Sequence, residues 1–316
     1  MKKLSIVVPV YYNEENLLSL YADMKEKVLS KLPEYNVDYE IIFVDDGSKD
    51  KSYTVMQELA KLDSKIILLK LSRNFGEHAA ILAGLSRCTG DFAVRKAADL
   101  QEPSTLIIDM LEKYLEGNKV VIATRAERQE PFIQRSLSSL YATIMRKIAL
   151  PNMPKGGFDS FLIDRQVIDT LVNMKEKNTS LMSQILWSGF KTGSVPYTRL
   201  KRTAGKSRWT FSKKIKLAID SVLGFSYFPI RFITFLGFVF SFASLIALIV
   251  TIIRRVTGAI DVEGYSSLLI VMLFGFGIVM FSLGILGEYM WRMFDATRNR
   301  PPFIIDEQDE GKKDIK

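Results

Sequence analysis

Two adjacent carboxylates at the end of an apolar run are the strongest chemical signal in this chain. In IIFVDDGSKD, residues 41–50, Ile41 to Val44 are β-branched or aromatic without interruption, and Asp45, Asp46, Gly47 and Ser48 follow at once. A run that short and that apolar reads as a central strand of a parallel sheet, covered on both faces. Asp45 and Asp46 then lie at its C-terminal end, the edge of an open α/β sheet at which ligands bind. Two acids next to a glycine that permits a tight turn suit the hydroxyl and imide donors of a nucleoside. The same string also fits an ordinary strand-to-helix turn capped by Asp or Ser.

Other chemistries are narrowed by counting. The single histidine, His78, excludes a multi-histidine zinc site, and the single cysteine, Cys88, excludes an internal disulfide. With 43 Lys and Arg against 35 Asp and Glu, the net charge of +8 favours anionic partners such as nucleotides, lipid phosphates or a membrane surface. No nucleic-acid-binding motif accompanies that charge, so nucleic acid is not an expected partner.

The elements that must position these residues alternate from the start, which is the signature of βαβ units. Strands are predicted at Ser5–Val10, Tyr39–Val44, Ile66–Leu71, Phe92–Ala97, Val120–Thr124 and Val195–Leu200, with Phe158–Ile163 contributing to the same unit. Helices are predicted at Glu15–Leu32, Ser52–Leu62, His78–Arg87, Ser104–Leu115 and Gln134–Ala149, and near Gln166–Met174 and Leu181–Trp187, with a loop at Pro151–Gly157. The N-terminal MKKLSIVVPV is cut short by Pro9 and the polar residues after it, and reads as a first strand, not a signal peptide.

Beyond residue 210 the composition changes. Phe211, Ile215, Ala218, Ile219, Val222 and Leu223 recur at helical spacing, with Lys213, Lys214 and Lys216 opposite, which suits an interfacial helix over 211–229. Phe232–Ile253 and Leu268–Gly287 carry no charge, and each is long enough to cross a hydrocarbon layer of about 30 Å at about 1.5 Å per residue. The expected organisation is a domain over 1–210, the interfacial helix, a two-helix transmembrane region over 230–290, and a polar tail over 291–316 that is mobile after Asp306. Basic residues before the first span and after the second outweigh Arg254 and Arg255 between them, so the domain and C-terminus are expected in the cytoplasm, at the plasma membrane.

The strings VVPVYYNEEN at 7–16, VDDGSKD at 44–50, LSRNFGEHAA at 71–80, GDFAVRKAADLQEP at 90–103 and GKSRWT at 205–210 resemble, in order and spacing, the family 2 glycosyltransferases of GT-A fold. The two C-terminal apolar segments narrow the resemblance to the polyprenyl-phosphate group, which holds the bactoprenol glucosyltransferases and dolichyl-phosphate mannose synthase. It implies a mostly parallel, Rossmann-like α/β domain that transfers a sugar from a nucleotide sugar, here a UDP-hexose, to a polyprenyl (undecaprenyl) phosphate. By the same resemblance Pro9, Tyr11 and Glu14 line the nucleotide pocket with Asp45 and Asp46, and Arg73 and Asn74 continue its wall.

The family's metal motif is Asp, any residue, Asp, then Gln two positions on. Here Ala97 replaces the first acid, leaving Asp99 and Gln101 as candidate ligands of a divalent cation, Mg or Mn, bound with the diphosphate. Arg95 or Lys96 is a further candidate source of positive charge there. The resemblance also gives Asp159 a base or positioning role, with a turn-forming Asp after Gly156 and Gly157 as its alternative. It gives Arg125, Arg128, Lys206 and Arg208 the acceptor phosphate and diphosphate. Homo-oligomers and a separate flippase partner are implied by the resemblance alone. Two readings stay beside the enzyme: a processive polysaccharide synthase, whose Gln-x-x-Arg-Trp motif is absent at Gln184–Ser188, and a degenerate nucleotide-binding membrane protein.

Overall fold

The computed structural model of the chain describes residues 1–126, 143, 145–147, 150, 152–154, 157–174, 180–200, 220, 226, 228–257 and 264–309. Strands β1 (Lys2–Val10), β2 (Val37–Asp45), β3 (Ile66–Leu71) and β4 (Phe92–Arg95) alternate with helices α1 (Leu17–Met24), α2 (Ser52–Leu62) and α3 (Glu77–Arg87). Helix α4 (Leu106–Leu115) leads to β5 (Val120–Arg125), and β6 (Ser160–Asp164), α5 (Arg165–Asn173), α6 (Leu181–Trp187) and β7 (Thr192–Tyr197) follow. Two long helices, α7 (Phe228–Val256) and α8 (Tyr265–Thr297), precede a last strand, β8 (Ile305–Asp309).

All eight strands form one sheet in the order β7-β5-β6-β4-β1-β2-β3-β8. The pairs β4/β1, β1/β2, β2/β3 and β5/β7 are parallel, whereas β6 runs against β4 and β5, and β8 runs against β3. This is the mixed α/β class with a mostly parallel sheet that the strand and helix alternation predicts. The central strands are buried almost continuously, as a sheet covered on both faces requires. Helix α3 lies so close to β1 and β2 that a Cβ on Gly84 would come within 2.4 Å of Val7 Cγ1.

Three expectations are corrected. The first helix begins at Leu17, after a turn closed by the Asn16 amide donating to the Asn13 carbonyl, and gives way to a π turn at Lys25–Leu29 and a 3₁₀ turn at Leu32–Tyr35. It still buries the predicted face, Leu17, Leu20, Tyr21, Met24 and Val28. Strand β7 starts three residues before its predicted position because its backbone pairs with β5 from Thr192 onward; as an outer strand it is only partly buried, so apolar periodicity marks it weakly. Of the tail expected to be mobile after Asp306, residues 306–309 instead lie in β8, held by backbone pairing to β3 with the register Leu71 to Ile305, Lys70 to Glu307, Leu69 to Gln308 and Leu68 to Asp309, and residues 310–316 lie outside the described residues.

The chain divides into two compact units, one of residues 1–221 with 301–316 and one of residues 222–300. In the second unit, α7 and α8 are long and apolar enough to cross a membrane and meet through the rings of Phe240 and Phe274, 5.6 Å apart. Phe235, Phe238 and Phe242 on α7 and Val271, Met272 and Phe274 on α8 are exposed. The predicted helix at 134–149 and the interfacial helix at 211–229 lie almost wholly outside the described residues.

Candidate active site

Strand order fixes where a ligand can bind. From β1 the chain steps to β2 and then β3 on one side, and then crosses to β4 on the other, so the topological switch point falls between β1 and β4. In open α/β sheets the crevice at such a point opens outside the carboxyl ends of the strands. Those ends carry the loops 11–16, 46–51, 72–76 and 96–103. Strands β5 and β7 point the same way and deliver Arg125 and Tyr197 to that edge, while the reversed β6 delivers Asp159 and Ser160 with its amino end.

On the β2 side the two acids have separate tasks. Asp45 is fully buried; its Oδ1 accepts the Ser48 amide at 3.1 Å, and its Oδ2 has no partner among the described residues. Burial pushes its pKa up, against the pull of Ser48 and Lys70. A buried carboxylate oxygen without a donor is costly, and a hydroxyl or imide donor from a ligand would satisfy it. Asp46 was expected in the nucleotide site, but both of its oxygens are taken: they accept the Phe75 and Gly76 amides at 2.7 and 2.9 Å. It therefore clasps the 72–76 loop onto the β2 turn. Burial raises its pKa to about 6 despite those two hydrogen bonds.

Gly47 completes the clasp. Its φ is +72°, and a Cβ there would lie 2.6 Å from the Arg73 carbonyl carbon and 2.7 Å from the Asn74 nitrogen. Arg73 and Asn74 are thus set against the Asp45 turn, with the Arg73 guanidinium 4.0 Å from the centroid of the Phe75 ring.

The β1 loop is tied to the same turn. The Tyr12 amide donates to Ser48 Oγ at 3.0 Å with Tyr12 at φ 56°, the Asn13 amide donates to Ser52 Oγ at 2.9 Å, and the Tyr11 and Tyr12 rings meet edge to face at 4.7 Å. Glu14 Oε2 accepts the Lys51 amide at 2.6 Å at the start of α2, so Glu14 braces the loop. Pro9 pairs with Val44 beyond the last β1/β4 pair, Val7 with Arg95, where its missing N–H costs no bond to β4.

On the β4 side the chain buries a charge network. Arg95 lies between Glu102 and Glu77, each 2.5 Å away, and Lys96 donates to the Glu102 carbonyl oxygen. Both cations are buried in these contacts, so neither is the diphosphate-facing charge anticipated for them. Burial would raise the Glu77 pKa, yet the Arg95 guanidinium holds it below its ordinary value. His78 Nδ1 accepts the Leu181 amide at 3.1 Å, and burial lowers its pKa, which marks a neutral imidazole that holds the start of α6.

Ala97 and Ala98 are buried, and the Ala97 amide donates to Glu102 Oε2 at 3.3 Å. The chain then turns through Leu100 at φ 57°, with Asp99 Oδ1 accepting the Gln101 amide at 3.2 Å. Gln101 Oε1 accepts the Arg199 guanidinium, and the Leu200 amide donates to the Gln101 carbonyl at 2.9 Å. The predicted ligand Gln101 therefore ties this turn to the segment leaving β7.

Across the edge, Arg125 pairs with Asp159. Burial would lower the Arg125 pKa, but the Asp159 carboxylate and Tyr197 outweigh it and hold the guanidinium above its ordinary value. The Ser160 hydroxyl donates to the Arg95 carbonyl at 2.7 Å, fixing this half of the edge to β4.

No group of three or more His, Cys, Asp or Glu side chains able to cage a metal occurs among the described residues. The donor set fits a different mode, in which one carboxylate, Asp99, shares a hard cation with substrate phosphates and water. Arg128, Lys206 and Arg208 lie outside the described residues. Sequence reasoning missed Glu77, Glu102, Tyr197 and Arg199. Glu102 had a readable signal as a carboxylate directly after Gln101, whereas Arg199 is one basic residue among several in 199–208.

A model of the family described as "Glycosyl transferase family 2" matches residues 5–172, which contain both sides of the switch point. A Bacillus subtilis protein named uncharacterized glycosyltransferase YkcC is 34% identical over 95% of this chain and 92% of its own length. The prophage bactoprenol glucosyl transferase homolog of Escherichia coli is 34% identical over 96% of this chain and 98% of its own. The bactoprenol glucosyl transferase of Shigella phage SfII is 34% identical over 98% and 99%.

Proposed function

The chain belongs to glycosyl transferase family 2, and from that premise we propose that it moves a hexose from a UDP-sugar to a polyprenyl phosphate at a membrane surface. The observation that carries this reading is the pair of carboxylates flanking the switch point: Asp45, with one buried oxygen left for a nucleoside, and Asp99, on the β4 side next to where the diphosphate would lie. The full-length similarity to proteins named for bactoprenol supports the lipid acceptor.

In the proposed mechanism, Asp45 accepts from the nucleoside, while Asp46, Gly47 and Glu14 hold the surrounding loops in place. The bond between the sugar's anomeric carbon and the diphosphate oxygen breaks as the lipid phosphate oxygen bonds to that carbon, and the nucleoside diphosphate leaves with the electron pair. The lipid phosphate needs no base, because a phosphate monoester with a second pKa of about 6 is largely dianionic at neutral pH. Asp159, paired with Arg125, accordingly serves to place the guanidinium beside the acceptor anion. Asp99 would hold the divalent cation, which supplies positive charge to the leaving diphosphate.

The membrane setting is supported by α7 and α8, and by connectivity: the chain leaves the sheet before α7 and rejoins it as β8 after α8, as an even number of crossings requires. The basic bias around the spans supports the same proposal, with the catalytic domain and C-terminus in the cytoplasm. A homo-oligomer and a flippase partner belong to the same proposal through the family resemblance.

The test supplies purified protein with undecaprenyl phosphate and a panel of labelled sugar nucleotides, and follows label into the organic phase with Mg²⁺ or with excess chelator. Transfer from one UDP-hexose, lost in chelator and restored by Mg²⁺, is expected. Full activity in chelator would overturn the cation assignment, and no lipid-bound label from any donor would overturn the acceptor.

A further inference from the structure

The returning strand β8 places a carboxylate beside the nucleoside pocket. Asp45 and Lys70 are direct partners in the β2/β3 register, and the Lys70 charge acts on Asp45. Lys70 is thus the nearest cation on the adjoining strand to the carboxylate whose Oδ2 is unpartnered. It does not take that oxygen. Its ammonium is 2.5 Å from Glu307 Oε1 and lies over the Tyr53 ring, 4.9 Å from the centroid. Glu307 also engages the Tyr53 hydroxyl, whose pKa rises to about 12 through burial and then the Glu307 charge. The backbone fixes the arrangement: Lys70 faces Glu307 in the β3/β8 register, and the Ser72 amide donates to the Ile304 carbonyl at 3.0 Å.

We propose that Glu307 is a positioning residue for nucleotide binding: from the strand that follows α8, it draws the Lys70 ammonium away from Asp45 and so keeps the Asp45 Oδ2 acceptor open for the nucleoside. A lysine stem is flexible and its ammonium carries three donors, so without Glu307 it turns to the neighbouring buried acceptor. Lys70 then competes with the nucleoside, as an internal inhibitor of the site. Nucleotide affinity thereby depends on the chain's return to the sheet after the second long helix.

The proposal rests on the nucleoside role of Asp45, and the experiment separates the two. Dissociation constants for UDP and GDP are measured with the full-length protein in detergent, taking the tighter ligand as probe, for wild type, Asp45→Asn, Glu307→Gln, and Lys70→Met with Glu307→Gln. Asp45→Asn is expected to weaken binding about tenfold or more. Glu307→Gln should weaken it about three- to fivefold, the scale of an exposed ion pair redirected against the ligand. The double variant should return to the wild-type value, because the competing ammonium is gone. Unchanged binding in Asp45→Asn, or no binding of either nucleotide to wild type, overturns the nucleoside reading itself. Weakened binding in Asp45→Asn with no effect of Glu307→Gln overturns the positioning role alone. A loss in Glu307→Gln that Lys70→Met fails to restore also overturns it, since only a structural role for β8 behaves that way.

Discussion

Replacing Asp46 by Asn should change how stability depends on pH, in a direction fixed by burial. In the folded chain the Asp46 pKa rises from 3.8 to about 6, because burial penalises the carboxylate more than the Phe75 and Gly76 amides favour it. A raised carboxyl pKa means the folded state holds its proton more tightly than the unfolded chain does. The resulting stabilisation is fully present below pH 3.8 and is lost as pH rises through about 6. A shift of about two units at about 1.4 kcal/mol each gives about 3 kcal/mol as an upper bound. Asn cannot titrate, and whatever offset its amide introduces at Phe75 or Gly76 is independent of pH. Urea unfolding of both full-length proteins in detergent, followed by circular dichroism at pH 4 and pH 7.5, isolates the difference. The variant should gain up to about 3 kcal/mol on wild type between the two pH values, yet bind nucleotide more weakly, because one amide of the clasped loop loses its acceptor. A stability difference constant to within about 0.5 kcal/mol would refute the burial argument.

Gly47→Ala places a Cβ against Arg73 and Asn74 at φ +72°, so nucleotide affinity should fall about tenfold through a displaced 72–76 loop; wild-type affinity would show that the two loops need not touch. Arg95→Met strips the counter-charge from Glu77 and from the buried Glu102, and should destabilise the protein by about 3–5 kcal/mol in urea unfolding; a loss under 1 kcal/mol would mean that the network is solvated. Asp99→Asn should cut turnover about 100-fold and leave the urea midpoint unchanged, because its carboxylate is assigned to the leaving group; normal turnover would remove it from the site.

Much of the fold was legible because central parallel strands advertise themselves. Ile41–Val44 and Ile66–Leu69 are apolar without a break, and burial on both faces demands it. The end of β2 could therefore be read as a site edge from the sequence. Which of its two acids was available could not, because the answer lies in the amides of Phe75 and Gly76, about thirty residues on. Arg95 and Lys96 misled for the same reason: a cation near a diphosphate motif looks like a phosphate ligand until its partners, Glu77 and Glu102, are in view. Strand β8 left no periodic signal, since after the half-buried Ile305 its residues 306–309 are exposed and polar and the strand is held by backbone bonds to β3.

The central claim is transfer to a lipid phosphate, and the most direct test is the stoichiometry of a single reaction. Protein in liposomes with labelled UDP-glucose is assayed for UDP released and for label in lipid, with and without undecaprenyl phosphate. The account predicts negligible UDP release without the lipid, and one labelled lipid per UDP with it. UDP release indifferent to the lipid, or label accumulating in a polymer, would contradict it.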